Sequence, residues 1–225
     1  MWGFLLVPPF FIVSFFKRMT FPTTNATQEL FAVNEILASV GQSPVTTLDQ
    51  TNPDVAIAYN TLLQVSREVQ AEGWTFNKEY HCALTPDVNN EILIPNNILQ
   101  IDLSETPANI EKDSVVRSGK LYDRFNHTFK FTDDTVYCDI VWLIDWVDIP
   151  KPIQAFITAR ASSVVSSRIV GDPSQYQILQ QNEAYTRAMA VEYECNQADF
   201  SYFGKPDEAA KSSYIPFQPF KALYR

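Results

Sequence analysis

Glycine is the scarce residue that most limits what this chain can become. The sequence holds six, at positions 3, 41, 73, 119, 171 and 204. Cradling a phosphate on backbone amides, or straining a turn around a nucleophile, takes glycines a few residues apart; here no two stand closer than about thirty. The phosphate loop GxxxxGK[ST], the dinucleotide loop GxGxxG and the nucleophile elbow GxSxG are therefore all excluded. What is left for the glycines is punctuation. Gly41, Gly73 and Gly171 each close a run with helical spacing, and Gly119 marks the tip of a hairpin. The chain divides into helix, helix, a strand-rich block, helix, helix and a tail.

The first helical run reads "NATQELFAVNEILASVG". Asn25 and Gln28 have the spacing of a capping box, Leu30, Val33, Leu37 and Val40 make an apolar face, and Pro44 prevents continuation. The second run opens at Asn52-Pro53-Asp54, a cap followed by proline and an acid in the first turn. Its stripe is Val55, Tyr59, Leu62, Val65 and Val69, with Ser66 as a small polar gap on the same face. In the third run the stripe is Ile153, Phe156, Ile157, Ala161, Val164 and Val165. The last starts at Asp172-Pro173-Ser174-Gln175, again a capping box, and runs to about Gln197. Glu183 and Arg187 are spaced for an ion pair on it. Its stripe, Tyr176, Leu179, Met189 and a few alanines, is thin, so this helix is expected to meet neighbours or solvent.

Between Trp74 and Ile149 the period changes. Runs such as "EILI", "ILQIDL", "HTFKFT" and "VYCDIVWLIDW" alternate with turn signals, and "VVRSGKLYD" reads as a hairpin with Ser118-Gly119 at its tip. The expected fold is α+β: an antiparallel bundle of about four helices, with a mostly antiparallel sheet domain inserted between helices 2 and 3. The expected division is 20–73 and 150–200 for the bundle, 74–149 for the insert, and 201–225 for a docking tail. Residues 1–19 form an apolar extension. Its Lys17 and Arg18 follow the apolar run, the reverse of a signal peptide, and Pro8-Pro9 interrupt it. Met19 is the expected start of the native protein; the alternative is a membrane-associated binding protein anchored by residues 1–16.

Catalytic, cofactor-binding and metal residues are expected to be none. The two histidines, His81 and His127, sit in no HExxH, and Cys82, Cys138 and Cys195 sit in no CxxC. Cys82 with His127 is the one conceivable nucleophile and base; an ordinary buried cysteine and a surface histidine is the preferred reading. Asp133-Asp134 has turn composition, while Asp139 and Asp145 look like the wet side of a strand. The odd number of widely spaced cysteines fits a reducing compartment. Asn25-Ala26-Thr27 and Asn126-His127-Thr128 match the glycosylation pattern, which matters only for a secreted chain. A net charge of -9 opposes a sequence-independent grip on DNA but not the passage of DNA.

The stretch "QAEGWTFNKEY", residues 70–80, joins the second helix to the strand block. Read as a strand, Trp74 and Phe76 share a face and pack back on the helix that Gly73 ends. Gly73, Trp74 and Phe76 are thus expected to form a structural joint rather than a ligand wall. Thr75, Asn77 and Lys78 face the other way or lead out.

Several of these segments in order, "AVNEILASVGQSPVTTL", "EVQAEGWTFN", "LTPD", "FITARASSVVSSRIVG" and "NEAYTRAMAVEYE", resemble the tail tubular protein A family of short-tailed, podovirus-type phages. The resemblance covers about residues 20 to 200; the stretch before Met19 and the tail after Tyr202 lie outside it. It implies a head-to-tail adaptor and no enzyme: a homo-oligomeric ring of twelve subunits in the virion's tail neck, assembled in the host cytoplasm. The implied partners are the portal protein, the tail nozzle (tail tubular protein B), a tail fibre and double-stranded DNA that passes without specific binding. Phe217, Phe220 and Tyr224, in an irregular but aromatic tail, are the expected anchors on the portal or on a neighbouring subunit.

Overall fold

The structure is a computed structural model that describes residues 26–104, 113–132 and 135–198. Its elements run α1 (Ala26–Ser39), α2 (Pro53–Gln70), β1 (Lys78–Leu84), β2 (Ile98–Leu103), β3 (Ser114–Arg117), β4 (Lys120–Asp123), β5 (Val136–Trp142), a 3-10 turn (Trp146–Asp148), α3 (Lys151–Ile169) and α4 (Pro173–Ala198). This is the α+β fold expected from the sequence, with antiparallel strands between the second and third helices.

The helix ends follow local chemistry. Asn52 Oδ1 accepts the Asp54 amide at 3.1 Å, with Pro53 in the first turn. At the end of α1, the amides of Gly41 and Gln42 return to the carbonyls of Ala38 and Leu37. Asp172 Oδ1 accepts the Ser174 amide at 3.0 Å, but Gln175 does not close the box. Its side-chain amide instead donates to the carbonyl of Ser39 and so caps α1. The box at Asn25 and Gln28 falls outside the side chains described.

Helix α3 is the axis of the bundle. Ile153, Phe156, Ile157, Ala161 and Val165 are buried as their spacing implied, and Val164 is half-buried. Gln154, Thr158, Ala159, Ser162, Ser163 and Ser166 are buried as well, so the helix is enclosed on nearly every side. Helices α1 and α2 pack together and on α3, and α4 packs on α3. The hydroxyls cause no deficit where they turn back on their own helix: Thr158 donates to the Gln154 carbonyl at 2.8 Å and Ser162 to that of Thr158 at 2.9 Å.

The block holds two sheets. Strand β5 is central in the first, flanked antiparallel by β1 and β2; β3 and β4 form a separate hairpin. Ser118 and Gly119 at its tip have φ of 53° and 72°, the double left-handed turn that suits strand twist. The runs expected as strands at 91–94 and 127–132 make only isolated bridges, Leu93 to Lys120 and Asp123 to Thr128. Aspartates divert the backbone there: Asp87 Oδ1 takes the amides of Asn89 and Glu91, and Asp123 Oδ1 takes those of Phe125 and Asn126. Such local bonds compete with a ladder. Leu84, Ile92, Leu121, Phe131, Val136, Cys138 and Ile140 make the core of the block, distinct from the core around α3.

Candidate functional site

The last turn of α2 points its end at the block, and what happens there fixes the two parts together. Trp74 is buried at 6% exposure within the helical core, and its indole Nε1 donates to the Val69 carbonyl at 2.7 Å. Phe76 is half-buried against the same core. The two do not lie on a strand, which begins only at Lys78. Residues 74–77 form a turn closed by the Asn77 amide on the Trp74 carbonyl at 3.1 Å. A turn wins because the Asn77 side chain holds it: Oδ1 accepts the Trp74 amide at 2.9 Å.

Asn77 also corrects the sequence reading, since it leads inward at 1% exposure. Its Nδ2 donates to the carbonyls of Gln70 and Trp142, both at 2.8 Å, and its own carbonyl accepts the Trp142 amide at 2.8 Å. One buried amide thereby ties α2, the turn and β5. Gln70, equally buried, is the second clamp. It accepts the Ile144 amide at 2.8 Å and donates to the Ile144 carbonyl and to Ser66 Oγ, each at 3.1 Å. Gln100 in β2 adds a bond to the Ala71 carbonyl at 2.7 Å, and Glu194 in α4 accepts both the amide and the hydroxyl of Thr75. At Asn77 and Gln70 pairing of this completeness is what a buried polar group requires, whereas Glu194 Oε2 is buried without a hydrogen-bond partner among the described residues. The one signal in the sequence was Ser66, which stands four residues before Gln70 on the buried stripe.

Around this joint runs a partly exposed charge cluster. Arg160 stands 3.8 Å from Glu68 and 3.6 Å from Glu72, and Arg187 stands 3.5 Å from Glu72. Pairs this open to solvent contribute little each. Glu183 and Arg187, spaced as a pair on α4, are engaged elsewhere: Glu183 accepts from Ser163 at 2.6 Å.

The residues weighed for chemistry do not converge. Cys82 lies on β1 and donates to Glu79, and its thiol is pushed up to about 11 by burial and then by Glu79, away from a thiolate nucleophile. His127 lies in the loop after β4, in the other sheet's connection. Asp139 is a fastener, accepting the His81 amide at 3.0 Å and the Ser104 hydroxyl at 2.5 Å. Asp145 is off the strand, before the 3-10 turn, with its carboxyl raised by burial and then by Asp148. Among the described residues no group of three or more His, Cys, Asp or Glu is placed to hold a metal ion, and no helix is long and apolar enough to cross a membrane. Residues 1–16, Asp133-Asp134, Phe217, Phe220 and Tyr224 lie outside the described residues.

A family model described as "Tail tubular protein" matches residues 30–200. The chain is also 27% identical over 171 residues to Tail tubular protein A of Klebsiella phage KP34, a stretch covering 76% of this chain and 89% of that relative. Both halves of the joint, and the turn between them, lie inside the matched residues.

Proposed function

The chain belongs to the tail tubular protein family, whose members are structural components of the phage tail, and on that premise we propose that it is the head-to-tail adaptor of a short-tailed phage. In this reading twelve copies close into a ring at the tail neck. The ring joins the portal protein to the tail nozzle, helps to hold a tail fibre, and leaves a channel for double-stranded DNA. The bundle (20–73 and 150–200) and the insert (74–149) act as two domains, with Gly73, Trp74 and Phe76 in the joint between them.

The observation that carries this reading is the family match across bundle and insert together. Two physical features support it. A net charge of -9 repeated around a channel repels phosphates, so the genome slides without sticking. The joint fixes the insert on the bundle through buried amides with no solvent-exposed hinge at Asn77 or Gln70, as a load-transmitting ring subunit needs.

Imaging of purified virions with an antibody fragment against this chain should place it at the neck, as a ring. Label confined to any other part of the particle overturns the reading. Phe217, Phe220 and Tyr224 are the proposed anchors on the portal or a neighbour. Deleting 203–225 is then expected to abolish portal binding while helical circular dichroism stays unchanged; undiminished binding removes that role.

A further inference from the structure

We propose that the exposed stripe of α4 is one half of the contact between subunits, and that the outer face of α2 in a second copy is the other half. This rests on the ring reading and names the surfaces it would use. Helix α4 is 26 residues long, yet only Ala190 and Ala198 are buried among its described residues. Its packing on α3 leaves Ile178, Tyr185 and Met189 at 67%, 66% and 44% exposure. Steps of seven and four residues put these three on one side of the helix. Glu192 follows Met189 on that side, exposed, with no ion pair among the described residues.

The complementary face lies on α2. Helix α3 packs against both α4 and the α1–α2 pair, which α4 itself meets at Ser39 and at Glu72. On α2, Ile57 and Leu63 are 39% and 44% exposed. Asn60, Leu63, Gln64, Arg67 and Glu68 border a shallow groove of about 320 Å³. Arg67 is exposed and, like Glu192, has no ion pair among the described residues. The spacings agree: Arg67 follows Leu63 by one turn, and Glu192 follows Met189 by one turn. Seating Met189 in the groove by Leu63 brings the Glu192 carboxylate to the Arg67 guanidinium. A contact between two different faces is heterologous, the kind that builds a ring or a filament rather than a two-fold dimer.

The test uses the full chain carrying Cys195→Ser, which removes an exposed thiol. Leu63→Arg and Met189→Arg are made separately; both positions are exposed, and circular dichroism checks the fold. Each variant alone should sediment as a monomer where the parent assembles. Mixed one to one they should stop at a heterodimer, because each keeps one intact face. Glu192→Arg should weaken association at least tenfold, and adding Arg67→Glu should restore it. In Leu63→Cys/Met189→Cys, oxidation should give a ladder beyond dimers, which neither single variant yields.

Assembly unaffected by both arginine variants shows that the surface is wrong while the ring stands. Loss with Met189→Arg alone shows that α4 meets another α4 or another virion protein, and also overturns the proposal. Virions that show a neck ring but no ladder from the double-cysteine chain overturn the surface alone, whereas a parent that stays monomeric and forms no ring in imaged virions overturns the ring reading itself.

Discussion

The bundle and the strand block of this protein are held together by different means. In the bundle a single helix, α3, is wrapped by the other three, and Phe156, Ile153 and Ile157 are wholly buried along it. In the block two short sheets share a small core, and aspartates at 87, 123 and 139 pin the connections by bonding backbone amides. The first is a burial structure and the second a clamped one. Burial resists unfolding, whereas clamps fix the course of loops.

The largest expected effect breaks the bundle. Phe156→Ala removes a wholly buried ring, over which the Arg187 guanidinium sits at 5.6 Å. The expected loss is about 3–5 kcal/mol, read by urea unfolding followed at 222 nm. Leu121→Ala in the block, also wholly buried, should cost less and should speed amide hydrogen exchange in β4 and β5 before the helical signal moves. If both variants lower one shared transition equally, bundle and block are a single cooperative unit and the contrast between them is wrong.

Next comes the joint. Asn77→Ala strands the carbonyls of Gln70 and Trp142 and the amide of Trp74 in the interior. Unpaired buried groups cost roughly 1–3 kcal/mol each, and partial relaxation should leave a net loss of about 3 kcal/mol. The distinguishing sign is uncoupling: limited proteolysis should cut between 70 and 80 while the helices persist. Unchanged protease resistance would mean that Gln70, Gln100 and the apolar contacts seat the block without Asn77.

A smaller effect is expected at Gly73, where φ is 78° and a Cβ would lie 3.4 Å from Val141 Cγ2. That distance is ordinary contact, so Gly73→Ala should cost mainly the left-handed strain, about 1–2 kcal/mol. Gly41 has nearly the same φ, 77°, with open space around it, and serves as the control. Equal losses in thermal melts assign the cost to the backbone; a larger loss at Gly73 shows how tightly β5 is held to the end of α2.

Much of the bundle was legible because its signals are local. Asn52-Pro53, the stripes of α2 and α3, and the closing glycines each state their role within one helical turn. The thinness of the stripe on α4 was legible too, but its buried members are the alanines Ala190 and Ala198, while Met189, read as part of the stripe, stands exposed at 44%. What escaped was polar burial. Asn77 read as leading outward and Gln70 stood outside the apolar stripe, because periodicity counts hydrophobicity and is blind to an amide whose bonds are all made in the interior. The same blindness hid Thr158, Ser162 and Ser166 on α3. In the block, strand propensity at 91–94 and 127–132 lost to turn chemistry at Asp87 and Asp123. Nothing in "KEYHC" announced the bulge of β1, where His81 takes a φ of 55° and the register shifts between Glu79 and Cys82.

The smallest predicted effect separates the two parts by pH. Cys138 sits in the core of the block, and its thiol is pushed from 9.0 up to about 12, first by burial and then by Asp139. Cys82, its partner in register, goes to about 11, again chiefly by burial. Between pH 9 and 12 the folded chain keeps a proton at Cys138 that the unfolded chain releases, so ν is larger in the native state. Stability from this thiol is therefore complete below about pH 9 and falls as pH rises, by about 1.4 kcal/mol per unit at most. In the bundle the corresponding group is Tyr59, raised from 10.0 to about 12 by burial and then by Glu29, and its window opens a unit later. Alkaline loss should thus begin in the block. Cys138→Val removes the ionisable group at similar size and should lose about 1 kcal/mol less than the parent between pH 8 and 10, in urea unfolding followed by tryptophan fluorescence. Equal losses in the two chains would show that the block and the bundle meet alkali alike, and that the buried thiol gives the sheet core no weakness of its own.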